Sequence, residues 1–89
     1  MTRIKPMINK TLNLIIQEKK GVIFSGDVKS VSSNNEIGPF DILPQHENFV
    51  AVIKDTISFI KIDGKNNSIK IERGIIRVKN NQVNVYLGI

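Results

Sequence analysis

Residues 74–85 read GIIRVKNNQVNV and decide the fold class, because two stretches with apolar residues at alternate positions flank an Asn-Asn pair. Asparagine adopts positive φ more readily than most residues, so Asn80-Asn81 suits the central positions of a type I′ hairpin turn. This turn gives two cross-strand pairs, Val78 with Val83 and Ile76 with Val85. The predicted hairpin therefore has one β-branched face directed to a core and one polar face directed to water. The polar face carries Arg77, Lys79 and Asn84.

The rest of the chain repeats this short-strand pattern. Ile and Val supply 24 of the 36 apolar residues, and β-branched side chains favour strands over helices. From Thr11 onward, short apolar stretches alternate with turn residues at intervals of about ten residues, which is typical of an antiparallel sandwich or barrel. We therefore predict an all-β fold.

Two further features of the sequence refine this prediction. Leu12, Leu14 and Ile16 alternate along a first strand and are expected to share its core face. Gly74 precedes the strand that enters the last hairpin, and glycine at such a position marks close packing or a bulge.

A second hairpin is predicted around the turn at residues 63–68, which contains one Gly and two Asn. Pairing Ile62 with Ile69 also sets Ile60 opposite Ile71, so we expect this register. Apolar residues occur at both parities of 57–62, which requires either two covered faces or a bulge.

Length and composition fix the domain organisation. Eighty-nine residues support one small domain, since chains divide into separate cores only at greater length. Residues 1–10 are polar, contain Pro6 and show no clean period, so we expect a flexible N-terminal arm followed by one β domain at 11–89. No secretory signal pattern and no stretch of roughly 20 apolar residues is found, so membrane association is expected only through a partner.

The formal charge of +5 raises nucleic acid as a possible partner. The two terminal thirds are basic, whereas residues 31–60 carry one base and four acids. The bases stand singly along alternating strands, a pattern typical of a solvated sheet face. Stacking on single strands needs several aromatic residues on one face, and the aromatic side chains here are scattered and expected in the core. They are Phe24, Phe40, Phe49, Phe59 and Tyr86.

The residues that carry enzyme chemistry are sparse. His46 is the single histidine and the sequence contains no cysteine, so no metal site and no thiol nucleophile is expected. The glycines are dispersed and no phosphate-binding loop is present, so we expect no nucleotide or other cofactor. Glu36, Asp41 and Glu47 surround a central loop; carboxylate pairs can serve acid–base catalysis, but an acidic docking patch is the simpler interpretation.

Three segments together resemble a known family. They are GVIFSGDV at 21–28, GPFDILPQH at 38–46 and the stretch at 74–85. In order and spacing they are similar to the N-terminal domain of the epsilon subunit of bacterial F-type ATP synthases, and the resemblance runs from about Leu12 to Leu87. It implies a flattened antiparallel β-sandwich of about ten short strands, which agrees with the strand rhythm.

The resemblance also implies a function. It predicts a non-catalytic central-stalk subunit of a proton-translocating ATP synthase, bound to the gamma subunit and the c-ring and peripheral at the cytoplasmic face of the bacterial plasma membrane. The matching loop lies toward the ring, whose loops carry a basic residue, and the acidic middle third has the complementary sign. His46 is expected to serve as a loop anchor or contact. The residues expected to face the c-ring are Glu36, Gly38, Pro39, Phe40, Asp41, Gln45, His46 and Glu47.

The sequence departs from the family at several positions. The family usually has Gly where Gln45 stands, and a double glycine where Arg73-Gly74 stands. After Leu87 the family usually continues into a helical hairpin that binds ATP in some members, so without it we expect neither ATP binding nor inhibitory switching. Two alternative functions remain open: a small β-barrel that binds single-stranded nucleic acid through a basic face, and a module on a sugar or structural scaffold. The second is disfavoured by the absence of Trp.

Overall fold

A computed structural model describes residues 11–88, and every regular element among them is a β-strand. The all-β prediction is therefore confirmed. The N-terminal arm predicted at residues 1–10 lies outside the described residues. Residues 11–88 include no helix that is long and apolar enough to span a bilayer. The six strands are β1 (Leu12–Glu18), β2 (Gly21–Asn34), β3 (Pro39–Ile42), β4 (Phe49–Lys61), β5 (Asn66–Lys79) and β6 (Gln82–Leu87).

The strands form one sheet that closes on itself. Its order is β1-β6-β5-β4-β2-β3, and β1 also pairs with β2. All neighbours are antiparallel except β1 and β6, which are parallel. The expectation of purely antiparallel pairing is corrected here. Two strands from opposite ends of the domain become neighbours because closure brings them together, and no local sequence pattern reports such a contact.

The closed sheet is flattened into two layers, and three long strands contribute to both. The first layer runs from the N-terminal part of β2 through β1, β6 and the C-terminal part of β5 to the N-terminal part of β4. The second layer joins β3 to the remaining parts of β2, β4 and β5. Register shifts between Val28 and Ser30 and between Lys54 and Asp55 mark where β2 and β4 cross between layers. Such irregularities let a strand bend and turn more strongly.

The layered arrangement corrects the predicted strand count. Six strands are present instead of about ten, because three continuous strands of 13–14 residues replace pairs of short ones. Counted by layer, the six strands and the three that occur twice give nine segments. Ser25-Gly26 has the chemistry of a turn, yet it lies within β2.

One apolar core fills the space between the layers. Leu12, Leu14 and Ile16 are fully buried, as predicted. Phe59 belongs to the core, whereas Phe24, Phe40 and Phe49 are partly buried and pack against it. Tyr86 departs from the expectation for scattered aromatics, because its side chain is 36% exposed. The other fully buried apolar residues are Val28, Val31, Ile42, Ile53, Ile57, Ile76, Val78, Val83 and Val85.

The last hairpin has the predicted register. Asn80 and Asn81 have φ of 49° and 64°, as a type I′ turn requires. The pairs Val78–Val83 and Ile76–Val85 face each other across β5 and β6.

The register predicted for the β4–β5 hairpin is wrong. Ile57, not Ile62, lies opposite Ile69, and Ile60 lies opposite Asn66. The cause is a tighter turn: the Lys61 N–H donates to the Lys65 carbonyl at 2.9 Å, and the Gly64 N–H donates to the Lys61 carbonyl at 2.8 Å. The Asp63 carboxylate also accepts the Lys65 N–H at 2.9 Å. This shorter turn places Ile69 opposite Ile57, so that Ile69 lies on the same face of the sheet as Ile57 and Phe59.

Gly74 is a point of close packing, as predicted. A Cβ at this position would lie 2.8 Å from Leu87 Cδ2 and 2.9 Å from the Tyr86 carbonyl oxygen. The strand pair β5–β6 can approach this closely only because residue 74 has no side chain.

Candidate functional site

The outer side of the first layer carries exposed apolar side chains among polar ones. The strand pairing aligns one row of outward-facing residues across five strand segments, and a second such row lies beside it. We call this surface the apolar face. Its first row is Val22, Gln17, Tyr86, Ile75 and Val52, and its second row is Ser25, Ile15, Asn84, Arg77 and Val50.

The apolar side chains of this face are open to solvent to an unusual extent. Val22 is 59% exposed, Val50 is 65% exposed and Val52 is 50% exposed. Five strands at about 4.8 Å spacing make the rows roughly 19 Å wide. Several exposed apolar side chains on one sheet face are typical of a protein-binding surface, although Gln17 and Asn84 interrupt the two rows here.

The charges of the apolar face are distributed unevenly. Arg77 lies within the second row, Lys79 follows it along β5, and the carboxylate of Asp27 lies on the β1–β2 side. Asp27 Oδ1 accepts a hydrogen bond from Asn13 Nδ2 at 3.3 Å. Beside β4 and β5, the bases Lys54 and Arg73 line a cavity together with the carboxylates Glu36, Asp55 and Glu72, so this border carries charges of both signs.

The outer side of the second layer has a different chemistry, and we call it the hydroxyl face. One row joins Asp41, Ser32, Ser58 and Ser68 across four strands. Ser32 Oγ donates to Asp41 Oδ1 at 2.6 Å, and Ser58 Oγ lies 3.1 Å from Ser68 Oγ. The hydroxyl groups thus satisfy one another and water, and they leave little apolar surface for a partner.

The loop before β3 is held in shape by Asn35. Its side-chain oxygen accepts hydrogen bonds from the backbone N–H groups of Ile37 at 2.8 Å and Gly38 at 3.1 Å. The Asn35 N–H donates to the Gly38 carbonyl at 2.9 Å. These bonds form a compact turn that leaves Glu36 exposed and Ile37 96% exposed.

The loop after β3 is tied to the β5–β6 turn. The Gln45 N–H donates to Asn81 Oδ1 at 2.7 Å, and the Asn80 N–H donates to Asn48 Oδ1 at 3.0 Å. His46 Nδ1 lies 2.8 Å from the Glu47 carbonyl oxygen, and the His46 ring centroid lies 5.0 Å from that of Phe49.

The eight residues predicted to face the c-ring occupy three positions around β3. Glu36 and Gly38 lie in the preceding turn, Pro39, Phe40 and Asp41 lie in β3, and Gln45, His46 and Glu47 lie in the following loop. Phe40 is directed inward and packs edge-to-face on Phe49 with ring centroids 5.8 Å apart.

The three carboxylates of the predicted acidic patch have different surroundings. Asp41 is bonded to Ser32, and Glu47 belongs to the loop beside the β5–β6 turn. Glu36 instead lines a cavity of about 140 Å³ at the point where β4 crosses between layers. The other residues lining this cavity are Val52, Ile53, Lys54, Asp55, Glu72 and Arg73.

The described residues offer binding surfaces and no assembled reaction centre. Residues 11–88 contain no group of three or more His, Asp or Glu side chains placed to hold a metal ion. Of the predicted loop residues, Glu36, Asp41, Gln45 and Glu47 are exposed and polar, which suits protein contact, whereas Phe40 packs inward. The apolar face was missed from the sequence, although five consecutive apolar residues at 49–53 gave a signal: a strand with one solvated face should alternate.

Comparisons with known proteins agree on one family. The model of the family described as "ATP synthase, Delta/Epsilon chain, beta-sandwich domain" matches residues 11–87. The chain is 42% identical over 73 residues to the ATP synthase epsilon chain of a Nitratiruptor species, which covers 81% of this chain and 57% of that protein. It is 32% identical over 74 residues to the ATP synthase epsilon chain of Campylobacter fetus subsp. fetus, with 82% and 57% covered.

Solved structures share the fold. A chain in the cryo-EM structure of the Euglena gracilis mitochondrial ATP synthase, described as OSCP/F1/c-ring, superposes with a TM-score of 0.85 at 17% identity, covering 97% of this chain and 56% of that one. A chain of the Tetrahymena thermophila mitochondrial ATP synthase, described as central stalk/c-ring, gives a TM-score of 0.73 at 8% identity, with 90% and 64% covered. The present chain spans about half the length of the curated relatives it matches.

Proposed function

The chain belongs to the delta/epsilon β-sandwich family of ATP synthases, and we propose that it is a non-catalytic central-stalk subunit of a proton-translocating F-type enzyme. It binds the gamma subunit and the c-ring, and it helps transmit rotation between ion flow and ATP synthesis. It lies at the cytoplasmic face of a bacterial plasma membrane and reaches the membrane only through the complex.

The observation that carries this proposal is the extent of the family match. The match covers residues 11–87, and so includes both layers, the apolar face and the loops around β3. The Nitratiruptor relative is described as an ATP synthase epsilon chain, and 81% of the present chain aligns with it. The match is thus to a whole domain and not to an isolated motif.

The distribution of side chains favours protein partners over nucleic acid. Binding of single strands relies on several aromatic residues on one face. Phe24, Phe40, Phe49 and Phe59 are directed to the core, and Tyr86 is the one aromatic residue on the outer faces of residues 11–88. Bases and exposed apolar side chains share the outer side of the first layer, which suits a folded protein partner.

Co-assembly with the gamma subunit tests the proposed function. The 89-residue chain and the gamma subunit of the same genome are co-expressed and purified through a tag on gamma. We expect a stable complex with one copy of each chain, measured by mass photometry or light scattering. Failure of the two chains to associate, with both folded, would contradict the central-stalk assignment.

We place the c-ring contact in the loops around β3. Glu36 is exposed on a turn braced by three hydrogen bonds, so a basic residue of a ring loop can pair with it with little loss of loop entropy. Asp41, in β3, and Glu47, in the loop that follows it, add negative charge around this strand. Charge complementarity of this kind sets orientation and association rate more than affinity.

Charge reversal at Glu36 tests this contact. Glu36→Lys is expected to weaken association of the chain–gamma complex with detergent-solubilised c-ring about tenfold at low salt, and less at high salt because ions screen exposed charges. Glu18→Lys makes the same change of charge at the β1–β2 turn and serves as the control. A triple variant combines Glu36→Lys, Asp41→Lys and Glu47→Lys. If it binds the c-ring as tightly as the parent chain does, the electrostatic contact is excluded.

A further inference from the structure

We infer that residues 66–71 of β5, which we call the free edge, bind an extended polypeptide segment that joins the second layer as an added strand. The segment is expected to alternate apolar and polar residues and to carry a carboxylate among the polar ones. The inference concerns a surface of the chain that the proposed function does not use.

The free edge has a neighbouring strand on one side only. Residues 66–71 pair with β4. On the other side of β5, β6 joins only from Gly74 onward, and no strand within residues 11–88 pairs with that side of 66–71. A bulge at Glu72 follows, since Ile71 and Arg73 pair with consecutive residues of β4. The bulge limits the free edge to a length of about 20 Å.

The core is incompletely covered along the free edge. Ile69 and Ile71 pack against the core but remain partly exposed, whereas Ile57, which lies opposite Ile69, is fully buried. Nδ2 of Asn67 is buried and has no hydrogen-bond partner among the described residues. A buried amide without an acceptor is unfavourable, and so is exposed apolar surface. A strand beside the free edge would cover the isoleucines and bring acceptors to this side of β5.

The opposite edge of the same layer shows how this chain protects a strand edge. That edge is β3, which has four residues and begins with Pro39, a residue without a backbone N–H. Short strands and edge prolines keep added strands from pairing. The free edge is longer, contains no proline and has Lys70 as its one charged residue. Its backbone groups are therefore available, and strand edges of this kind bind extended peptides.

The side chains of the free edge specify the pattern of the added segment. Ser68 and Lys70 are exposed, and Ile69 and Ile71 pack against the core. Residues directly opposite each other on paired strands share a face of the sheet. The added segment therefore needs apolar residues opposite the isoleucines and a carboxylate opposite or next to Lys70.

Two adjoining cavities at the end of the free edge carry charges of both signs, with bases in excess. The charged residues that line the first, of about 250 Å³, are Glu18, Lys70, Glu72 and Arg73. The second, of about 260 Å³, shares Glu18 and adds Lys19 and Lys20. Past the bulge, Glu72 and Arg73 also line the cavity that contains Glu36, Lys54 and Asp55, which lies beyond the free edge. Four bases and two carboxylates thus surround the first two cavities, which favours a segment with a carboxylate.

Two other occupants fit the free edge less well. A second copy of the chain would bring its own Lys70 to the edge, and like charges on neighbouring strands repel. Residues 1–10 contain Arg3, Lys5 and Lys10 and no acid, so they offer no carboxylate. Both occupants are outcomes that the experiment distinguishes.

A pair of designed peptides tests the inference on the full 89-residue chain. The first probe has about nine residues in which Val alternates with Glu and Thr, and the second has Lys in place of each Glu. Binding is followed by backbone amide signals in NMR spectra and by hydrogen exchange. We expect saturable binding of the glutamate peptide, signal shifts centred on residues 66–73 and at least about tenfold slower exchange at the free edge. The lysine peptide should bind at least about tenfold more weakly.

Charge reversal at Lys70 tests the contact within the chain. Lys70→Glu changes one exposed side chain, so it should weaken binding of the glutamate peptide about tenfold and strengthen binding of the lysine peptide. Lys29→Glu makes the same change of charge at an exposed position of β2 and should alter binding less than about twofold. Thermal unfolding of both variants shows whether the fold is retained.

Several results would overturn the inference. They are no saturable binding of the glutamate peptide to the parent chain, signal shifts centred on another surface, and equal binding of the two peptides. A concentration-dependent dimer that protects residues 66–71 would assign the free edge to a second copy. Protection of these amides in the chain alone, lost when residues 1–10 are removed, would assign it to the N-terminal residues.

Discussion

The two outer faces of the sandwich are built from the same long strands but have opposite chemistry. Along β4, the outward residues of the first layer are Val50 and Val52, whereas those of the second layer include Thr56 and Ser58. The change occurs at the register shift between Lys54 and Asp55. Both sides of that shift are β-strand, so strand formation alone does not account for the difference.

The first prediction compares neighbours on β4 that point in opposite directions. Ile53→Ala should lower the free energy of unfolding by about 3 kcal/mol, because Ile53 is fully buried and the smaller side chain leaves a cavity. Val52→Ala should lower it by less than about 1 kcal/mol, since half of that side chain is already exposed. Chemical denaturation measures both values.

This pair bears directly on the difference between the faces. Similar losses for Ile53→Ala and Val52→Ala would mean that the outward valines support the fold after all. The apolar face would then be a structural feature of the first layer, and its exposure would carry no information about a partner.

The second prediction concerns the packing that brings β5 and β6 together under the apolar face. Gly74→Ala should destabilise the chain by about 2 kcal/mol, because the new Cβ would meet the Tyr86 carbonyl, which the sheet holds in place. The control is Ser68→Ala on the hydroxyl-face part of the same strand, which should change stability by less than about 0.5 kcal/mol. If Gly74→Ala leaves the thermal unfolding temperature unchanged, β5 and β6 can move apart slightly without loss of stability.

The third prediction distinguishes the buried hydroxyl of β2 from the exposed ones of the hydroxyl face. Ser33 is buried, and its Oγ donates to the Thr56 carbonyl at 2.6 Å. Ser33→Ala leaves that carbonyl without this donor and should cost about 1–2 kcal/mol. Ser32→Ala removes a solvated hydroxyl that bonds Asp41 and should cost less than about 0.5 kcal/mol. Equal costs in urea denaturation would mean that the hydroxyl row is structural.

The sequence predicts those parts of the fold that local chemistry determines. The β5–β6 hairpin was predicted with its register because Asn80-Asn81 specifies the turn and the β-branched residues on both sides agree with it. The β4–β5 register was missed because the Asp63 carboxylate closes a shorter turn than the apolar pattern suggested. Parallel pairing of β1 with β6 depends on closure of the whole sheet, which no short stretch of sequence encodes.

The site was predictable to a smaller degree. The loop residues from Glu36 to Glu47 came from the resemblance to a family, since exposed polar residues in a loop have no distinctive periodicity. The apolar face needed the structure, because its rows combine side chains from five strand segments that are distant in sequence. Only the five consecutive apolar residues at 49–53 indicated that both faces of β4 carry apolar side chains.

The smallest expected effect concerns the loop that borders the apolar face at the β5–β6 turn. Gln45 has φ of 73°, a conformation that costs a non-glycine residue about 1–2 kcal/mol. Gln45→Gly removes this strain but adds freedom to the unfolded chain, so a net gain in stability of about 0.5 kcal/mol is expected.

The control Glu47→Gly lies in the same loop without a positive φ and should lose stability by a similar amount. If Gln45→Gly stabilises the chain yet weakens its binding to the c-ring, the glutamine side chain serves contact at the expense of the fold. If it destabilises the chain in calorimetric unfolding, the Gln45 side chain itself supports the loop, and this border belongs to the framework and not to a binding surface.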